Sequence, residues 1–316
     1  MRQLSLFILV FYFLTFAYAD FNQSNCEVNI INSTVMTSES RQHFETPFDQ
    51  HETNNCYSYA AADMLSYKTG RSISPLALAV LSARENQYEY NSDNAGEISR
   101  LLELASRVSV CTNSGYNSRD LSYAQLQRPP TYSCRGAALV SPTILNFDVY
   151  RDCPEGRGPR RTLTPEFKAS TLADINRSLN NLKPVGFSLY LSQLDVIKPG
   201  QERNTYSSPH AVTIIGRKWI NNRCEYVIRN SLGPRPCAGT MTDTNRVNCE
   251  PIAGFPAGTM SVSENVLKEA FHRAYIITES SGDLVLPEIC TSAESSFKAG
   301  SVEEAAEAEQ SEDEMD

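Results

Sequence analysis

The stretch "DQHETNNCYSYAAADMLSYKTG", residues 49–70, places one cysteine at the head of an Ala-rich run. Cys56, Tyr59, Ala60, Met64 and Tyr67 recur on one face at the 3.6-residue period, which predicts a helix. Asn54 and Asn55 are residue types that favour an N-cap, and Gly70 after Thr69 is the usual left-handed stop. Cys56 therefore falls in the first helical turn. There the unpaired N–H groups and the positive end of the macrodipole favour a thiolate over a thiol. A half-cystine or a buried structural cysteine also suits a helix start, so the partners of Cys56 decide its role.

The chain has nine cysteines, at positions 26, 56, 111, 134, 153, 224, 237, 249 and 290. None forms C-x-x-C, so no structural zinc site is expected. Residues 1–19, "MRQLSLFILVFYFLTFAYA", combine one Arg, a continuous apolar stretch and the small-x-small pattern Ala17-Tyr18-Ala19. This reads as a secretory signal peptide cleaved after Ala19. Its apolar part is short of the roughly 20 residues that a membrane span needs, so no stable membrane anchor is expected. In an oxidising compartment the cysteines default to disulfides, and an odd count leaves one thiol over. The sequence does not choose the pairing.

Four histidines are available to partner a thiolate: His43, His51, His210 and His272. His43 lies in a polar stretch and His51 on the loop before the Cys56 helix, and both read as exposed loop residues. His272 reads as a structural residue at the start of the strand-like "AYIIT". His210 opens "AVTIIG", a β-branched run that reads as a buried strand. An imidazole there rides on a rigid element and still faces a cleft. Further on, "CEYVIRNSLG" reads as a second strand that ends at Asn230, and the linking "RKWINNR" suggests an antiparallel hairpin. Such a hairpin sets Asn230 beside His210, where it can fix the tautomer and orientation of the ring.

Taken together, these pieces resemble the papain family of cysteine peptidases, with a Cys near the mature N-terminus and His and Asn far downstream. His210 follows Cys56 by 154 residues and Asn230 follows it by 174. Gln50 stands six residues before Cys56, where the family carries its oxyanion-hole glutamine. "KPVGFSLYL" (183–191), "PHAVTIIG" and "YVIRNSLG" are similar to the family's Gly-Pro-Val, His-Ala-Val and Asn-Ser-Trp-Gly strands. Thr53 replaces a half-cystine common in the family, Tyr57 a Trp, and Leu232 the Trp that shields the His-Asn bond. The resemblance implies an α+β, two-lobe fold with a helical lobe carrying Cys56 and an antiparallel β lobe carrying His210 and Asn230. It also implies an active-site cleft between the lobes, peptide or protein substrates, and no cofactor or metal.

The rest of the chain is read around that frame. Residues 20–45 form a short N-terminal segment, 46–165 the helical lobe, 166–290 the β-rich lobe, and 291–316 a disordered acidic tail. "SPLALAVLSAR" (74–84) reads as a helix with Ser74 as N-cap and Pro75 at its first position. "AGEISRLLELASRV" (95–108) reads as another. Cys111 to Cys153 reads as an insertion tied down by disulfides, and "PEGRGPRR" (154–161) as a loop. "TLADINRSLNNL" (171–182) reads as a helix started by a capping box of Thr171 and Asp174. "SENVLKEAF" (263–271) reads as a helix capped by Ser263, and the loop after Gly233 as stapled by Cys224, Cys237, Cys249 or Cys290. Asn22, Asn32 and Asn176 fit glycosylation sequons. The whole chain carries −9, and the eight acidic and no basic side chains of residues 303–316 leave residues 1–302 at −1. With no basic patch, nucleic acid is not an expected partner.

The expected function is a secreted cysteine peptidase in which Cys56 attacks, His210 moves the proton, Asn230 orients His210, and Gln50 stabilises the oxyanion. Two other readings share the sequence: a different acyl-transfer enzyme on the same dyad, such as a peptidoglycan amidase or transamidase, and an inactive papain-like binding protein.

Overall fold

Asn221 and Asn222 both adopt positive φ, 50° and 61°, the pairing a tight two-residue hairpin turn requires. They fold strand β6 (Pro209–Ile220) back on β7 (Arg223–Arg229) as the predicted antiparallel hairpin, with Ile220 opposite Arg223. In this computed structural model, residues 22–86, 90–91, 96–119, 121–134, 136–151, 165–194, 209–237 and 246–278 are described. The expected signal peptide, the acidic tail, the 154–161 loop, Cys153 and Cys290 lie outside those residues.

The hairpin is the middle of a larger antiparallel sheet. Its other strands are β1 (Val28–Asn29), β4 (Phe147–Arg151), β5 (Val185–Tyr190), β8 (Val247–Asn248), β9 (Thr259–Ser263) and β10 (Phe271–Ile277). The order is β4-β10-β5-β6-β7-β9-β8, with β1 added on β6. A separate two-stranded ribbon joins β2 (Val110–Cys111) to β3 (Leu139–Val140). Successive residues of a strand point to opposite faces, and here both faces are covered. Val212, Ile214, Ala274 and Ile276 pack into one core with Ile175, Leu179 and Leu267. Ala211, Tyr275 and Ile277 pack into another with Met64, Leu65, Leu78 and Leu101. The fold is α+β.

The helices are α1 (Gln23–Cys26), α2 (Ser38–Glu45), α3 (Cys56–Thr69), α4 (Pro75–Glu85), α5 (Ile98–Arg107), α6 (Tyr123–Gln127), α7 (Pro165–Asn180) and α8 (Glu264–Ala270). Helix α3 is buried continuously from Tyr57 to Ser66, which explains its weak amphipathic pattern. It ends at Gly70, whose φ of 69° is the left-handed conformation glycine adopts without strain. Ser74 caps α4 with Pro75 in the first turn, and Ser263 caps α8, as expected. Helix α7 starts earlier than its predicted cap. Thr171 is buried within it, and Asp174 accepts from the Tyr150 hydroxyl at 2.6 Å instead of capping. Among the described residues no helix is long and apolar enough to cross a membrane.

Two disulfides are present among the described residues, Cys26–Cys224 and Cys237–Cys249. The second staples the loop after Gly233, whereas Cys224 ties β7 to the N-terminal segment. Cys56, Cys111 and Cys134 stand as thiols in this structure.

The N-terminal segment corrects the reading of His43. It lies on α2, capped by the Thr37 side chain, and is fully buried. Its Nε2 donates to Asp63 at 2.8 Å, and the Ser72 hydroxyl donates to Nδ1 at 3.1 Å. Only Ser40, His43 and Phe44 of this polar helix turn inward, which left no periodic apolar signal to read. Asp63 of α3 also accepts from Arg229 Nη1, at 3.0 and 3.2 Å to its two oxygens. The Arg229 guanidinium further donates to the carbonyls of His43, Phe44 and Thr46. It lies 5.1 Å from the Phe48 ring centre. Three segments distant in sequence thus converge on one buried ion pair.

Burial lowers the His43 pKa below its ordinary value, outweighing the opposing pull of Asp63. Burial would raise the Asp63 carboxyl, but the Arg229 charge and the His43 contact hold it below the usual range. Below its reference pKa of about 6.5, a free histidine takes up a proton that buried His43 resists, so acid favours the unfolded chain. The Asp63 contribution persists there and is lost only at lower pH, as that carboxylate protonates. Thermal melts between pH 7 and 5 should show stability falling below about 6.5, and less steeply in a His43→Gln variant. Arg229→Met leaves Asp63 buried without its cation and should cost roughly 3–5 kcal/mol in denaturant unfolding.

Candidate active site

Strand β6 begins at Pro209, so His210 sits at the mouth of the sheet, paired in register with Leu189 of β5. The hairpin returns at Arg229, and the chain leaves the sheet at Asn230. His210 Nε2 and Asn230 Oδ1 meet at 2.7 Å, with both residues buried. The other face of Asn230 is also used, since its Nδ2 donates to the Pro236 carbonyl at 2.8 Å and its Oδ1 accepts from Ser231 N at 2.8 Å. Each polar atom of the Asn230 side chain therefore has a partner. Nε2 carries the proton given to Asn230, which leaves Nδ1 of His210 for Cys56.

Cys56 is half-buried at the start of α3, next to β6. Burial alone would raise the pKa of its thiol. The charge and hydrogen bond of His210, joined by the backbone N–H groups of Ala211 and Tyr57, outweigh that and hold it below the ordinary value. His210 responds in the opposite sense. Burial would lower its pKa, but Cys56 and then the Asn230 hydrogen bond raise it above the ordinary imidazole value. Both shifts favour a thiolate beside an imidazolium. The predicted asparagine cap is absent, because Asn55 occupies the N-cap position without a side-chain cap bond and donates its Nδ2 to the Tyr90 hydroxyl. The N–H of Tyr57 is consequently available to the sulfur.

Gln50 reaches the same place from the other side. Residues 48–50 run beside 231–233, with Gln50 N donating to Ser231 O at 2.7 Å and Gly233 N to Phe48 O at 2.8 Å. Gly233 has φ of 74°, and a side chain there would strike Asp49. The Gln50 side chain is buried, accepts from the Ser231 hydroxyl and donates Nε2 to the Thr53 carbonyl at 2.6 Å. A primary amide carries two N–H bonds, so one is spent on Thr53 and one remains. From Gln50 the chain turns through His51, in the left-handed region at φ 51°, into α3.

All four residues singled out in the sequence thus converge, across two segments and a helix end. His51 and His272 do not join them: His51 Nε2 donates to the Leu121 carbonyl at 2.6 Å, and His272 packs edge-on to Tyr190. Sequence reading missed Ser231, which orients Gln50, and the Asp63–Arg229 pair flanking the site. Ser231 directly follows Asn230, and that adjacency was its only signal. Leu232 is half-buried against the sheet core, and the chain returns at Pro236, whose carbonyl accepts from Asn230.

No family model and no curated protein sequence matches the chain. The solved structures it resembles include papain-like cysteine peptidases. Digestive procathepsin L 3 of Tenebrio molitor is 13% identical, over 84% of this chain and 74% of that one, with a TM-score of 0.48. SERA5E of Plasmodium falciparum is 12% identical over 82% and 97% of the two chains, TM-score 0.48. Bromelain of Ananas comosus, solved with the E64 inhibitor, is 12% identical over 76% and 97%, TM-score 0.44.

The ion pair makes a direct claim about reactivity. Alkylation of Cys56 by iodoacetamide, followed from pH 4 to 9 by peptide mapping, should stay fast well below the reference thiol pKa of about 8.5. His210→Ala should move the inflection up towards that reference. A wild-type inflection already at the reference value overturns the ion pair.

Proposed function

We infer that the chain is a secreted, papain-like cysteine peptidase that cleaves peptide bonds through an acyl-enzyme. The observation that carries this reading is the Cys56–His210–Asn230 row, in which His210 and Asn230 are buried. A thiol whose pKa is lowered stands at a helix N-terminus, an imidazole whose pKa is raised is held beside it by a buried amide, and a buried glutamine has an N–H to spare. The thiolate attacks the substrate carbonyl, and negative charge develops on its oxygen. The free N–H of Gln50 and the backbone N–H of Cys56 donate to that oxygen. As the tetrahedral intermediate collapses, His210 gives its Nδ1 proton to the departing amine. Neutral His210 then takes a proton from water, which attacks the thioester and restores the thiolate.

Asn230 serves this sequence by holding one ring orientation throughout. A ring free to rotate would present its proton to the leaving group only part of the time. Ser231 serves it by fixing the Gln50 amide, so that the oxyanion donor is in place before charge develops. The apolar leader with its small-x-small end, together with the disulfides Cys26–Cys224 and Cys237–Cys249, supports release into an oxidising compartment outside the cytoplasm.

Removing one oxyanion donor typically costs ~10²–10³ in rate. Gln50→Ala should therefore lower kcat on internally quenched peptides by about that factor while Cys56 alkylation continues at the wild-type rate. Unchanged peptide turnover in this variant would sink the oxyanion assignment. Turnover of amine-acceptor or cell-wall substrates without peptide hydrolysis would replace the peptidase reading with another acyl transfer.

A further inference from the structure

Cys111 and Cys134 stand apart from the site just described. Cys111 ends β2 and is fully buried, and Cys134 is half-buried ahead of β3. The two thiols are hydrogen-bonded to each other. Cys134 also donates to the Ala138 carbonyl at 3.1 Å, and that same carbonyl accepts the N–H of Thr112, next to Cys111, at 2.9 Å. Both cysteines are thus pinned to one turn. Around them lie Leu76, Ala77, Tyr116 and Leu126, an apolar shell. Burial pushes the Cys111 thiol up to about 12, so it is chemically quiet where Cys56 is activated.

We propose that Cys111 and Cys134 join as a disulfide that closes the loop between them. One S–S bond forms in the chain and one breaks in an exchangeable disulfide oxidant, which takes the two electrons and the two thiol protons and leaves as a pair of thiols. An oxidant of this class is already implied by the Cys26–Cys224 and Cys237–Cys249 bonds. The closed loop contains Leu121, whose carbonyl holds the His51 ring at 2.6 Å. His51 is the residue after Gln50, so the cross-link braces the turn that leads into Cys56. Among the described cysteines, Cys56 would then be the one that keeps its thiol. The proposal rests on the thiol geometry and stands whether or not the chain is a peptidase.

The test reads the bond and not turnover. Secreted protein is denatured without reductant in N-ethylmaleimide, digested and mapped, with Cys134→Ser beside it. Wild type should carry the label on Cys56 and not on Cys111, and should yield the 111 and 134 peptides linked and two hydrogens lighter. Cys134→Ser should carry it on Cys111 as well. Label on both Cys111 and Cys134 in wild-type molecules whose other two disulfides are intact overturns the proposal. So does either cysteine linked to Cys153 or Cys290.

Discussion

The arrangement depends on a buried ion pair that joins what the chain keeps apart. Asp63 lies two turns beyond Cys56 on α3, and Arg229 directly precedes Asn230 at the end of β7. A charge buried alone is costly enough that neither side can relax its position without exposing the other. The helix bearing the nucleophile and the strand bearing the ring's anchor are therefore fixed relative to each other. Arg229 uses its remaining donors on the carbonyls of residues 43, 44 and 46, so the N-terminal segment is gathered into the same joint. A guanidinium suits this task because its rigid fork serves a carboxylate and several carbonyls at once.

The site itself is a contest between burial and charge. Burial opposes ionisation of both Cys56 and His210, and each charge is sustained by the other. The burial of Asn230 adds to this, because a hydrogen bond kept from water retains more of its strength.

Much of this was legible in the sequence, for identifiable reasons. The hairpin was readable because β-branched runs flanking a short linker are local signals, and pairing them brought His210 to Asn230, although the strands run on through most of "RKWINNR" and leave only Asn221 and Asn222 as the turn. Ser74-Pro75 and Ser263 marked helix starts equally well. What stayed hidden was non-local. His43 looked exposed because its neighbours are polar, and its burial comes from partners 20 and 186 residues away. Helix α3 hid a charged joint within an Ala-rich run, since Asp63 breaks no periodicity. Asn55 had the right chemistry for a cap, but tertiary packing sent its amide to Tyr90. Helix α7 likewise ran through its supposed start because Asp174 found Tyr150.

The separation of Cys56 from His210 along the chain has a consequence for how the protein matures. Every influence that depresses the thiol, apart from the N–H of Tyr57, arrives from strand β6, and β6 is positioned by the sheet. Until that strand docks, Cys56 titrates like a thiol in a peptide and is only a few per cent ionised at neutral pH. Thiolates are the species that enter disulfide exchange, so the incomplete chain offers this sulfur to wrong partners only sparingly. The folded chain holds Cys26–Cys224 and Cys237–Cys249 already closed. Chemical potency is in this way postponed by topology until assembly is complete.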